Sequence, residues 1–259
     1  MLRLTSRWIC TLVWVASTSL SLAQPKGRQV VNQSIEWFSF TTNLKVSKRT
    51  SLILEGQFRQ AQNMQPMQYQ FRTGAEIGLN KHFSIIPLGY VYTWNFQYGK
   101  QPAAFQNNEH RLFEQVTYKH AIGRFVFSHR ARLEQRFLQV HSNDGQEGIV
   151  NHGYDMYMNR VRYRFQAMLP LNHAKIEAKT FFASAYDEAF LDWGKPVTFH
   201  EPDQNRLFGG FGYQFKSPLS IQAGFLYHML IKANGAQQEN NTGIQVMVTY
   251  NINLMKPQS

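Results

Sequence analysis

The sequence predicts an all-β protein, a closed antiparallel up-and-down transmembrane β-barrel of 10–12 strands. Three observations point there. Apolar and polar residues alternate at period two over segments of ~9–15 residues, well beyond the 5–6 usual for soluble sheets. Short turns and longer polar loops alternate between those segments, which is the order of outer-membrane barrels. The chain also opens on a segment of secretory type.

That opening segment, MLRLTSRWICTLVWVASTSLSLAQ, places Arg3 and Arg7 before an apolar run from Trp8 to Val15 and ends in small residues at Ser21-Leu22-Ala23. The run is shorter than the roughly 20 residues of a membrane-spanning helix. It is expected to be a signal peptide over residues 1–23, cleaved after Ala23, with the barrel filling 24–259 as one domain. Cys10, the only cysteine, falls inside this leader. A mature chain without cysteine has no thiolate metal site, thiol nucleophile or disulfide framework.

The strands follow in order. Near Ile35 and Ser51 lie the first two segments, joined by a turn at Ser47-Lys48-Arg49. From Tyr69 to Leu79, Phe71, Ala75 and Ile77 oppose Gln70, Arg72 and Glu76. After the Asn80-Lys81-His82 turn, Ile86, Leu88, Tyr90, Tyr92 and Trp94 oppose Pro87, Gly89, Val91 and Thr93. A segment beginning at Glu109 turns at His120–Gly123 into one where Phe125, Phe127, Ala131, Leu133 and Phe137 oppose Arg130, Arg132, Glu134 and Arg136. Val161, Tyr163, Phe165 and Ala167 then oppose Arg160, Arg162 and Arg164. Further segments start near Lys175, Gln204, Leu219 and Thr242. Short turns are expected at Pro170–His173 and Lys216–Pro218, and longer loops at Gln60–Gln68, Gly99–Gln106, Val140–Gly153, Ala189–Asp203 and Lys232–Asn241. The segments number about eleven, against the even count of bacterial single-chain barrels. A short first strand at Arg28–Ser34 would give twelve, and one misread segment would give ten. Trp37, Trp94 and the tyrosines at 90, 92, 98, 118, 157, 163, 213 and 227 are expected in aromatic girdles at the two rims.

Charge collects on the face opposite the apolar one. The expected lumen network comprises Arg59, Arg72, Arg111, Arg130, Arg132, Arg136, Arg160, Arg162, Arg164 and Arg206 with Glu55, Glu76, Glu109, Glu134 and Glu177. Buried unpaired, each would cost several kcal/mol, so Arg–carboxylate pairing or lumen water is required. A narrow barrel is readily filled by its own side chains, so a polar plug is favoured over an anion-attracting constriction. The net charge of +11 is spread over alternate strand positions rather than gathered on one exposed face, which argues against a nucleic-acid partner.

No catalytic constellation emerges. Ser128 and His129 point to opposite faces, and neither His110 nor His228 has a serine in register. His141, Asp144, Glu147 and His152 match no zinc or calcium spacing, and Asp187, Glu188 and Asp192 read as a solvated loop group. Neither a metal nor a cofactor is expected, and no enzyme activity.

Four motifs carry a family resemblance: Asn108-Glu109-His110-Arg111, the run Arg130 to Phe137, the run Arg160 to Arg164, and Gln204 to Tyr213. Together, across about Ile35 to Leu254, they resemble the domain of unknown function 2490 family, exported proteins regarded as outer-membrane barrels. The resemblance implies barrel and location and no assigned activity. It picks out Glu109, Arg111, Arg132, Glu134, Arg136, Arg162, Arg164 and Arg206 as family-pattern positions. The chain departs from the aromatic ending that assembly machinery commonly reads, closing instead on Leu254 to Ser259.

The resulting expectation is an exported outer-membrane barrel of a Gram-negative bacterium with a structural, binding or narrow anion-favouring transport role. Its partners would be outer-membrane lipids, the assembly machinery and a small anionic solute. The alternatives are a lipid-modifying barrel enzyme and a soluble periplasmic β-protein that binds an acidic ligand.

Overall fold

In a computed structural model, described over residues 27–145, 148–197, 203–216 and 218–255, the chain forms one closed β-barrel. The predicted leader and its cleavage site lie outside the described residues. The strands are β1 (Gln29–Lys45), β2 (Thr50–Ala61), β3 (Gln65–Gly78), β4 (Phe83–Asn95), β5 (Asn107–Ile122) and β6 (Phe125–Leu138). They continue with β9 (Met156–Pro170), β10 (Thr180–Trp193), β11 (Gln204–Gln214), β12 (Leu219–Ile231) and β13 (Gln237–Asn253). A small hairpin of β7 (His141–Asn143) and β8 (Ile149–Asn151) decorates the connection between β6 and β9.

Eleven strands therefore close the wall, and each pairs antiparallel with its sequence neighbour except at one seam. An odd number of alternating strands brings the first and last together pointing the same way. Accordingly β1 and β13 pair in parallel, from Gln29 opposite Gln237 to Lys45 opposite Asn253. This corrects the all-antiparallel expectation. The polar Arg28–Ser34 stretch is not a separate twelfth strand but the start of β1. At the seam Gly243 faces Ile35, where an added Cβ would lie 1.6 Å from the Ile35 carbonyl oxygen, so only glycine allows the two backbones to meet.

Turn chemistry matches the connections at one end. Ser47 Oγ accepts from the amides of Arg49 and Thr50, and Asn80 Oδ1 accepts from those of His82 and Phe83. Gly123 takes a φ of 59° between β5 and β6. Three expected connections differ. The β2–β3 and β12–β13 loops are tight, at residues 62–64 and 232–236, because the flanking Gln- and Asn-rich stretches are strand at the barrel rim, where both faces can be polar. The expected short turn after Pro170 instead runs over 171–179, which places Glu177 in a turn rather than a strand.

The barrel is inverted in polarity. Its outer face carries Phe40, Phe58, Phe181, Phe211, Phe225 and Ile244, each more than half exposed, while ten arginines and several carboxylates point inward. The outward polar groups include pairs that satisfy one another: Gln135 donates to Glu114 and Asn205 to Asp187. Exposed aromatics mark both rims, with Trp94, Tyr157 and Trp193 at the ends leading into the longer loops and Phe83, Phe125 and Phe181 at the opposite end. Trp37 departs from the expected girdle: it is 4 % exposed and points inward. Ile86 also faces inward, against the simple alternation, because a bulge between Ile86 and Gly89, around Pro87, adds a residue and flips the phase.

Candidate functional site: the charged lumen

Inward positions on β5, β6, β9, β10 and β11 build the site, since period two sends every second side chain of a strand to the axis. Near the longer-loop end a chain of ion pairs crosses four strands. Glu109 accepts from Arg111, two residues along β5, at 2.6 and 2.7 Å, and from Arg136 of β6 at 2.5 Å. Arg136 reaches Asp192 of β10 at 2.7 Å, Asp192 holds Arg160 of β9 in two hydrogen bonds, and Arg160 extends to Asp203 at 3.2 Å. Three arginines thus meet three carboxylates, and this layer is neutral.

The next layer is different. Glu188 is fully buried and lies within 2.8–3.5 Å of Arg130, Arg162, Arg164 and Arg206. Glu134, also fully buried, pairs with Arg162 at 2.8 Å and lies 3.6 Å from Arg132. Glu55 accepts from Arg72 with both oxygens at 2.9 Å. Arg59 bonds only neutral partners among the described residues, Gln57 and Gln68. Here seven arginines meet three carboxylates.

Aromatic faces carry part of the remaining positive charge. Arg59 lies 4.1 Å over Trp37, Arg132 4.4 Å over Phe113, Arg164 4.0 Å over Tyr186 and Arg206 4.3 Å over Phe190. A desolvated cation over a ring gains ~2 kcal/mol, so these stacks hold the guanidinium planes without neutralising them.

Described residues cross the longer-loop end. The β4–β5 loop bends across the mouth to β1 and β13, where Tyr98 donates to Glu239 at 2.8 Å and the Lys100 ammonium donates to the Asn32 carbonyl at 3.0 Å. Lys232 pairs with Glu239 at 2.5 Å, and Gln33 donates to Asn241 at 2.7 Å. Burial and the neighbouring Glu239 carboxylate push the Tyr98 phenol well above its ordinary pKa, so it stays a donor. On the opposite flank, burial raises the Asp203 carboxyl against the pull of Arg160.

Inward exposure rises toward the short-turn end along β1 and along β9 as far as Met168, whereas the inward face of β10 stays buried from Thr180 to Asp192. On β1, Gln33, Ile35 and Trp37 are buried, Ser39, Thr41 and Asn43 half-buried, and Lys45 exposed. On β9, Met158, Arg160 and Arg162 are buried, while Arg164, Gln166 and Met168 are half-buried. A cavity of about 240 Å³ lies within the seven-arginine layer and extends to Thr41, Asn43 and Thr249 on the short-turn side.

Of the fifteen residues expected in the lumen, the structure brings thirteen into this network. Glu76 lies apart near the short-turn end, accepting from Ser84 at 2.7 Å. Glu177 is not in the lumen: its side chain is 62 % exposed, 3.5 Å from His173. Sequence reasoning missed Glu188 and Asp192, taken as loop acids. The available signal was the series Ser184, Tyr186, Glu188, Phe190 and Asp192, which continues one inward face of β10. It was masked because outward Asp187 and Ala189 blur the polarity contrast.

Glu147 lies outside the described residues; among those described, the other candidate clusters show no catalytic or metal geometry. His129 bonds the Tyr163 hydroxyl at 2.7 Å on the outer face. In the β7–β8 hairpin Ser142 meets His152 at 2.8 Å, while Asp144 caps the Gly148 amide. Among the described residues no three His, Cys, Asp or Glu side chains gather as a metal site.

Residues 36–240 match the family described as "Protein of unknown function (DUF2490)". No curated protein and no solved structure gives a significant match. The chain belongs to the DUF2490 family.

Proposed function

We propose that this member of the DUF2490 family is an exported barrel of a Gram-negative outer membrane, non-enzymatic, with its lumen shut on one side by the Arg–carboxylate layer. The inverted polarity of the wall carries this reading. A barrel in water would have to expose Phe58, Phe211, Phe225 and Ile244 while burying eight arginines, which reverses the hydrophobic driving force. In hydrocarbon the same wall is at its minimum. Every wall strand has 11–17 residues, enough for the ~9–11 that cross a bilayer at a tilt, and closure pairs the backbone as lipid demands. The exposed aromatics at the two rims suit the membrane–water interfaces. Lipids and the outer-membrane assembly machinery are the partners this implies, and residues 1–23, cleaved after Ala23, are the export signal. In the usual order of such barrels the short-turn end faces the periplasm.

The balanced layer and the Tyr98–Glu239 closure favour a binding or structural role over a standing pore. Membrane fractionation with a heat-modifiability gel tests the location. Retention in the membrane after carbonate washing, with a mobility shift on boiling, is the expected result; release without detergent would refute it. Planar-bilayer recordings are expected to show no steady conductance from the wild-type protein.

A further inference from the structure

We propose that the cavity beneath the neutral layer is a binding site for a small phosphorylated solute, entered from the short-turn end. This goes beyond the location proposed above and does not depend on it, since the site would exist in the same barrel wherever the barrel resides.

The argument is one of charge balance. The layer nearer the longer loops is neutral and needs nothing more. The layer around the cavity has Glu55, Glu134 and Glu188 against seven arginines, an excess of four positive charges in a space walled from bulk water on one side. An uncompensated buried charge costs several kcal/mol, so a lumen built this way takes up anions. Some donors in this layer make no hydrogen bond within the protein. Arg132 sends Nε and Nη2 to Gln115 at 3.0 and 2.6 Å, while its Nη1, in a residue only 4 % exposed, makes no hydrogen bond and has only the 3.6 Å ion pair to Glu134. Nε of Arg72 and of Arg164 likewise has no hydrogen-bond partner.

Geometry selects the anion. Arg59 reaches the cavity from β2, Arg72 from β3, Arg130 and Arg132 from β6, and Arg164 from β9, so donors converge from several sides. A carboxylate presents two oxygens in one plane and a single charge, whereas a tetrahedral phosphoryl group offers oxygens in several directions and up to two charges, which suits guanidiniums arriving from several strands. The volume of about 240 Å³ admits such a group with a small organic portion or a second phosphate. Ser39, Thr41, Asn43 and Thr249 on the open side supply neutral hydrogen-bonding groups for an uncharged remainder.

The test uses the full-length protein purified in detergent, titrated calorimetrically at fixed ionic strength with inorganic pyrophosphate, orthophosphate, citrate and chloride. Saturable 1:1 binding of pyrophosphate is expected, with citrate at least tenfold weaker and chloride without effect. Arg59→Gln and Arg132→Gln are each expected to weaken pyrophosphate at least tenfold while keeping heat-modifiable mobility. Lys48→Gln, in an exposed turn, should change nothing. Arg59→Lys, which keeps the charge and loses the fork, should fall between. Equal binding of citrate and pyrophosphate would overturn the phosphoryl assignment. Absence of saturable binding, or binding unaltered in folded Arg59→Gln and Arg132→Gln, would overturn the site.

Discussion

Replacing Glu188 by glutamine removes the anion shared by four guanidiniums while keeping side-chain shape. In the native lumen its Oε1 accepts from Arg130 at 2.8 Å and Arg162 at 2.9 Å, and its Oε2 from Arg164 at 2.9 Å, with Arg206 at 3.5 Å. A glutamine keeps one acceptor oxygen and turns the other into an amide that points its hydrogens at a cation. Hydrogen bonds to charged groups are worth ~1.5–3 kcal/mol each, and breaking a buried pair costs about 3–5 kcal/mol. With one oxygen retained and the positive excess raised by one, a loss of about 4 kcal/mol is expected. Urea unfolding of the protein refolded in micelles, followed by tryptophan fluorescence and by gel mobility, measures it. Glu188→Gln combined with Arg164→Met should recover at least half, because Glu188 is the only carboxylate paired with Arg164 among the described residues and the second change removes that stranded cation. A loss below ~1 kcal/mol for the single variant would refute the reasoning, since it would mean that water solvates these guanidiniums as well as Glu188 does.

Three further outcomes follow from the wall and the mouth. Phe225→Arg, on the outer face and 58 % exposed, should cost about 2–4 kcal/mol in a bilayer and almost nothing in a water-soluble barrel, so unfolding from lipid vesicles against wild type separates the two. Gly243→Ala drives a methyl into the Ile35 carbonyl, which only backbone movement relieves; about 3 kcal/mol should be lost and the unboiled gel band should weaken. Tyr98→Phe removes the hydroxyl bond to Glu239 but leaves Lys232 and Gln33 on that carboxylate, so stability should fall by only about 1 kcal/mol while protease cuts the 96–106 loop faster. Unchanged cleavage would show that other contacts hold the loop over the mouth.

Much of this barrel can be read from residue order, for a local reason. Alternation along a strand sends Arg130, Arg132, Glu134 and Arg136 to one face and Leu133 and Phe137 to the other, whatever the neighbouring strands do. Failures come where that local rule is interrupted. The bulge at Pro87 carries Ile86 inward, and the Gln-rich rim at 65–68 looks like loop because a strand beyond the apolar band has no polarity contrast to show. Trp37 passes for a girdle residue by type, but phase puts it under Arg59.

What the sequence settled alone was the kind of object: long amphipathic strands, the inward charge, membership of the family. The tertiary structure decided what depends on circumference. Strand parity makes the β1–β13 seam parallel, and that seam needs a glycine at 243. Partner choice within the lumen is likewise invisible along the chain, because Arg136 finds Asp192 across 56 residues and Tyr98 finds Glu239 across 141. Closure alone sets which charges share a layer. It separates three arginines balanced by three acids from seven that face three, an excess that alternation could list but could not locate.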